Sequence, residues 1–327
     1  MQRRTVLRAS AAAIGAAVVH RAAHAQDAFP NKPIRFIIPS AAGGLSDVVA
    51  RAYAERMSKT LRQQIVVENQ PGAGTLLAVR NVLKAPADGH TLCVSANTLV
   101  TLPYVDTSAG YNPSDFTGVS YLAKSPMALC VGMDAPFKTL NDLIAAAKKA
   151  PGTLTYASVG VGTTSHLPVE LFAQSAGLKF EMIPYKGIPL AIPDVVSGRV
   201  NMMIGTAPSV GELIKAGKMR ALAVTSEKRS PSFPNVPTFA ELGHEESTYE
   251  LFLGLVGPAK LPPAVRKALA DAAEDAKRDP DLRARLDAQG QEMPTQATPE
   301  DFNKFLVREA DKMRKLVKAA NIQVKAG

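Results

Sequence analysis

The chain contains the same unit twice: a short apolar run, a glycine turn, and an amphipathic helix entered directly from the turn. The first copy spans Lys32–Asp47. It reads as a strand over Ile34–Ile38, then Gly43 and Gly44, then a helix carried by Leu45, Val48, Val49, Ala52 and Met57. The second runs from Tyr156 through Ser158, Gly160 and Gly162 to His166, and then into a helix with Pro168 in its first turn, where the missing N–H costs nothing. Thr163, Thr164 and Ser165 supply hydroxyls at that helix start. Glycine lets backbone approach a ligand closely, and the first N–H groups of a helix have no intrahelical partner, so each unit can hold an anion. A chain built this way folds as open α/β sheets whose ligands sit beyond the C-terminal strand ends. Two such sheets facing each other make a cleft with a donor-rich helix start on each wall.

The rest of the chain keeps the alternation. Candidate strands lie at 34–38, 64–68, 92–95, 127–132, 154–157, 180–184, 200–204, 221–225 and 249–256. Candidate helices lie at 45–61, 76–84, 139–149, 168–176, 190–197, 209–216, 263–289 (with interruptions) and 299–321. Strand–helix alternation implies parallel sheets covered by helices on both faces.

The first 25 residues are different. A basic start with Arg3, Arg4 and Arg8, a short apolar run over Ala9–Val19 and the Ala23-His-Ala25 site make a cleavable export signal, and the run is too short to span a bilayer. The arginine pair resembles a twin-arginine signal, with a Sec-type signal as the alternative. No cysteine follows the cut to carry a lipid, so the mature chain is expected to be soluble in the periplasm, cleaved near Ala25. Cleavage removes four arginines and no acid, and the formal charge falls from +9 to +5, which calls for no nucleic acid. Cys93 and Cys130 both lie in apolar runs and read as buried free thiols, with a disulfide as the alternative.

Further segments are Val66-Val-Glu-Asn-Gln-Pro-Gly-Ala-Gly74, Ala87-Asp-Gly-His-Thr-Leu92, Tyr185-Lys-Gly187 with Asp194, and Arg229-Ser-Pro-Ser-Phe-Pro-Asn-Val-Pro-Thr238 with Glu241. Together with the two glycine loops, and in this order along the whole mature chain, they resemble the Bug family. These are the TctC receptors of tripartite tricarboxylate transporters. The resemblance implies an α/β, two-lobe periplasmic binding protein of type II-like, Venus-flytrap form with a parallel-rich sheet in each lobe. Lobe 1 would be 26–125 plus 249–327 and lobe 2 would be 126–248, crossing near Ser125 and Tyr249. It implies a small organic carboxylate as ligand, integral-membrane transporter subunits as partners, no nucleic acid, no cofactor, and a monomer. Carried over by position, the ligand-binding residues are Ser40, Ala41, Gly43, Gly44, Asp47, Gly72, Gly74, Ser158, Gly160, Gly162, Thr163, Thr164, His166, Tyr185 and Asp194. Two positions depart from the family pattern: Ala42 precedes the double glycine in place of a proline, and Thr75 follows Pro-Gly-Ala-Gly in place of a glycine.

Competing chemistries are poorly supplied. Gly160-Val-Gly162 lacks the third glycine of a dinucleotide loop, since residue 165 is Ser. Ser165 and His166 are adjacent and diverge at a helix start, and no Gly-x-Ser-x-Gly elbow exists, so the chain is read as a non-enzyme. His90, His166 and His244 have no metal-ligand spacing, and His166 reads as a helix-start donor. Asp47 reads first as an acceptor that orders its loop. Tyr185 either reaches the ligand or rims the lobe. A side chain at Gly43 is expected to block the ligand and leave the fold intact. Ala41, Ala42 and Leu45 leave room for a ligand with an apolar body. A carboxylate sensor for a two-component system, or an exported enzyme acting on carboxylated metabolites, are the alternatives.

Overall fold

The structure, a computed structural model, describes residues 29–40, 42–72, 75–106, 108–294, 297–320 and 322. The export signal read at 1–25 lies outside them, as do Ala41 and Gly74 of the expected site.

The apolar runs pair into two five-stranded sheets. In the first, β1 (Ile34–Ile38) lies between β2 (Ile65–Asn69) and β3 (Thr91–Ala96), parallel to both. β10 (Leu251–Pro258) and β4 (Phe116–Ser125) complete the order β2-β1-β3-β10-β4, and β10 runs antiparallel to both neighbours. The second sheet has the order β7 (Glu181–Pro184), β6 (Thr155–Ser158), β8 (Met202–Thr206), β5 (Met127–Gly132), β9 (Met219–Val224). Here β6 is parallel to β7 and β8, and β5 is antiparallel to β8 and β9. Four strands of each sheet therefore point one way. The reversed strand is in each case the one that enters from the other sheet, β5 directly after β4 and β10 after β9. Such a strand needs no crossover helix, which is why pure alternation did not foretell it.

Ten helices cover the sheets among the described residues: α1 (Leu45–Leu61), α2 (Leu76–Lys84), α3 (Thr98–Val105), α4 (Leu140–Lys149), α5 (Leu167–Ala176), α6 (Ile188–Val196), α7 (Ala207–Lys215), α8 (Pro263–Lys277), α9 (Pro280–Asp287) and α10 (Pro299–Ala319). Period-two side chains sort the faces. Phe36, Ile38, Leu92 and Val94 pack with Tyr53 of α1 and Leu269 of α8, while Ile37 and Cys93 pack with Val79 of α2 and Phe302 of α10. Leu129, Tyr156 and Ile204 of the second sheet pack with Phe172 of α5, and Cys130, Ala157 and Met203 with Val195 and Val210 of α6 and α7. Cys93 and Cys130 sit in different cores as free, buried thiols. Burial pushes the Cys93 thiol up to about 12.

Two elements were not foreseen. β4 mixes Thr117, Gly118 and Ser120 into its run, which masks the pattern, but Gly118 has a packing reason. With Gly254 of β10 it leaves the space that the Phe302 ring fills. α3 contains Pro103, which argues against a helix; burial of Leu99, Val100 and Val105 overrides it. α10 serves both cores, with Phe302 and Phe305 on the first sheet and Met313, Leu316 and Val317 on the second.

Candidate functional site

Six helices begin where a strand ends at the same edge of its sheet: α1, α2 and α3 after β1, β2 and β3, and α5, α6 and α7 after β6, β7 and β8. None of the six has a side chain capping its first N–H groups. Of the four helices that start elsewhere, α4, α9 and α10 are capped by Thr139, Asp279 and Thr298, and α8, preceded by Pro262, is not. Residue type accounts for Gly44, Gly187 and His166, but not for Thr75, Asn97 and Thr206, which are of capping type. Asn97 precedes α3, but its side chain is spent on β10, donating to the Glu250 carbonyl (2.7 Å) and accepting from Phe252 N–H (3.0 Å). Open helix starts carry partial positive charge, so these two edges favour anions. At α5 and α7, however, Leu167, Val169 and Ala207 N–H already donate to the Thr163, His166 and Pro126 carbonyls, and Pro168 and Pro208 have no N–H.

The first loop is built around Asp47, which is almost fully buried. Its Oδ2 accepts from Gly43 N–H at 2.8 Å, and its Oδ1 lies 2.9 Å from Arg51 Nε, one helical turn on. Arg51 also donates to Asn69 Oδ1 (3.0 Å), and Asn69 Nδ2 donates to the Ser40 carbonyl (3.1 Å), tying the ends of β1 and β2 together. Burial opposes ionisation of Asp47, but Arg51, Gly43 N–H and Asn69 outweigh it and hold the carboxyl below the usual aspartate value. Asp47 orders its loop. Gly43 has φ +80°, a left-handed conformation, although open space surrounds it. A valine there would strain the turn itself, so it would cost stability as well as ligand, contrary to the clean blockade expected from sequence. The Oγ of Ser40 and Oγ1 of Thr75 are shielded and have no partner among the described residues, and Thr75 itself holds φ +88°.

The second loop spends the hydroxyls of Ser158, Thr163 and Ser165 on itself. Ser158, fully buried, bonds Gly160 N–H and Ser165 Oγ, each at 3.2 Å. Ser165 Oγ accepts from Val159 N–H (3.0 Å) and lies 3.0 Å from Thr163 Oγ1, which donates to the Gly160 carbonyl at 2.7 Å. His166 Nδ1 accepts from Gly162 N–H (3.2 Å), and its Nε2 lies 3.8 Å from Glu170, which also receives the Tyr156 hydroxyl at 2.9 Å. Burial, against the opposing pull of Glu170, holds the His166 pKa below the ordinary histidine value. Ser158, Ser165 and His166 thus support the loop from beneath. His166 meets the backbone as an acceptor through Nδ1, which Gly162 rather than Ser165 occupies, and this leaves Nε2 as its N–H.

The structure also joins Tyr185 to Asp194. The Tyr185 hydroxyl donates to Asp194 Oδ2 (2.7 Å), and Arg199 pairs with the other oxygen. Tyr185 N–H bonds the Ser158 carbonyl (2.8 Å), so this pair stands beside the second loop. Leu45, in the first turn of α1, packs on both the first-sheet and the second-sheet cores, and Gly162 faces Val105 of α3. The two edges are therefore adjacent. Sequence reasoning missed Arg51, Asn69 and Glu170. The i, i+4 spacing of Asp47 with Arg51 and of His166 with Glu170 was available as a signal, whereas Asn69 needed the β1–β2 pairing.

Two mixed α/β sheets with an anion-favouring edge on each are the architecture of two-domain periplasmic solute-binding proteins, and the comparisons agree. Residues 49–322 match the model of the tripartite tricarboxylate transporter family receptor (TctC), and the chain belongs to that family. It is 34% identical over 301 residues to a UPF0065 protein of Agrobacterium vitis, covering 91% of this chain and 87% of that one. A TctC solute-binding protein from Polaromonas, solved with no ligand, superposes with TM-score 0.82 at 29% identity, covering 89% of this chain and 99% of that chain. Two proteins of Rhodopseudomonas palustris follow. MatC with bound malate gives 0.70 at 28% identity, covering 88% and 100%, and another protein with adipate gives 0.72 at 30%, covering 90% and 99%. Members of the family are periplasmic solute-binding receptors, and these two bind carboxylates.

Proposed function

We propose that this chain is a periplasmic receptor that binds a small organic carboxylate between two lobes, 26–125 plus 249–327 and 126–248, and delivers it to integral-membrane subunits of a tripartite tricarboxylate-type transporter. The observation that carries the reading is the gathering of six uncapped helix starts on the two adjacent edges. Of the four helices that start elsewhere, α4, α9 and α10 are capped by side chains and α8, entered from Pro262, is not. A carboxylate supplies negative charge to these positive helix ends, and acceptor oxygens to the starts of α1, α2, α3 and α6. The unpartnered hydroxyls of Ser40 and Thr75 on the first edge fit the same role.

Gly44, Gly72 and Thr164 are the proposed backbone contacts, while Gly43, Gly160 and Gly162, whose N–H groups are taken by Asp47, Ser158 and His166, shape the turns that present them. Asp47, Ser158, Thr163 and His166 hold the loops that present them. Binding energy closes the lobes and no bond is made or broken. The test is a thermal-shift screen on protein unfolded and refolded to remove carried-over ligand. A carboxylate at a hundred times its dissociation constant should add about 2.7 kcal/mol. No shift with any carboxylate, together with a clear shift from a sugar, refutes the reading.

A further inference from the structure

Five large apolar side chains stand exposed among the described residues: Leu77, Val159, Val161, Leu190 and Val307. Single exposed apolar residues need no explanation, but their placement here is not scattered. Leu77, 55% exposed, lies in the first turn of α2 beyond β2. Val159 and Val161 flank Gly160 beyond β6. Leu190, 61% exposed, lies in the first turn of α6 beyond β7. Four of the five thus rim the two edges that carry the uncapped helix starts, and only Val307 of α10 does not.

The charges of the same edges are largely committed. Arg51 is bound to Asp47 and Asn69, and Arg199 to Asp194. Lys186, between β7 and α6, is the cation of these loops that makes no ion pair among the described residues. A compact ligand with two or three carboxylates and hydroxyls would bring polar groups against Val159, Val161, Leu77 and Leu190, and each left without a partner on lobe closure is penalised.

From this placement we infer that the ligand is a carboxylate with an uninterrupted apolar body, alkyl or aryl, taken in preference to hydroxylated di- and tricarboxylates. The inference rests on the receptor reading above. The carboxylate meets the helix starts, and closure covers the body with the four side chains.

The experiment is calorimetric titration of the refolded protein with hexanoate, benzoate, malate and citrate. Hexanoate or benzoate should bind at least about tenfold more tightly than malate and citrate, with a negative heat-capacity change that marks apolar burial. Malate or citrate binding as tightly or more tightly overturns the inference and leaves the receptor reading standing. No binding by any of the four, with a shift from a sugar, overturns both. Val161→Ser and Leu190→Ser, both at exposed positions, should each weaken the preferred acid about fivefold. A double variant that binds it with unchanged affinity overturns the assignment of the apolar rim.

Discussion

Thr75 carries two penalties at once. A β-branched residue at φ +88° is strained by roughly 1–3 kcal/mol, and its shielded hydroxyl has no partner among the described residues. Both are relieved by Thr75→Gly, which should raise stability by about 1 kcal/mol in denaturant unfolding and weaken carboxylate binding several-fold in titration. A variant that is stabilised yet binds unchanged would show that the hydroxyl is not used. His166 makes a second prediction, on pH. Folding lowers its pKa, so the unfolded chain binds the proton more readily. The stabilisation from neutral His166 is complete above the unfolded value of about 6.5. It is lost as pH falls from there through the folded value, because protonation removes the acceptor that Gly162 N–H uses. Melting curves at pH 7.5, 6.0 and 5.0 should fall more steeply for the native chain than for His166→Asn, which keeps an acceptor and cannot titrate. At this scale the sequence was a partial guide. Asp47 was legible as a loop-ordering carboxylate, since a helix start next to glycines leaves it few other tasks. The role of His166 was not, because which ring nitrogen meets which backbone group depends on the path of the loop.

Among the elements, the glycine–helix units were readable because apolar periodicity and glycine are local signals. Whether a helix start is capped was not. Thr206 and Asn97 are suitable cap residues that do not cap, while Thr139 and Thr298 do. The difference lies in what else the side chain can reach. Gly44 offers a direct test. It is the N-cap of α1 with ordinary extended backbone, φ −72° and ψ 167°, so a side chain there meets no backbone strain. Gly44→Asp should cap the helix and gain a few tenths of a kcal/mol, while its carboxylate occupies the donors and repels an anion. The expected result is an unchanged or slightly higher melting temperature with at least a tenfold loss of carboxylate affinity. Retained affinity would remove α1 from the binding site. β4 escaped notice for a related reason: Gly118 interrupts its pattern to admit Phe302, a residue 184 positions away.

For the molecule as a whole, the connections between sheets run close together. Lys124 at the end of β4 pairs through its backbone with Glu292, and its ammonium lies 3.3 Å from Glu250 and 3.7 Å from Glu292. Ser230, on the segment leaving β9, donates to Glu292 at 2.6 Å. In the receptor reading proposed above, a bundle of connections held at one place would act as the hinge about which the lobes close. Small-angle scattering should therefore show a smaller radius of gyration on addition of a saturating carboxylate. An unchanged radius, with binding demonstrated in parallel, would show that the lobes do not close.

By itself the sequence determined the alternating elements, the two glycine loops, the export signal expected at the N-terminus and, through the resemblance, the family. These are all carried by neighbours in the chain or by residues in a fixed order. Tertiary structure alone decided which strand of each sheet is reversed, that α10 joins both cores, that His166 and Ser158 support their loop, and that four exposed apolar side chains gather on the edges bearing the open helix starts. Those outcomes depend on which distant groups compete for the same donor, acceptor or cavity, and that competition exists only once the chain has packed.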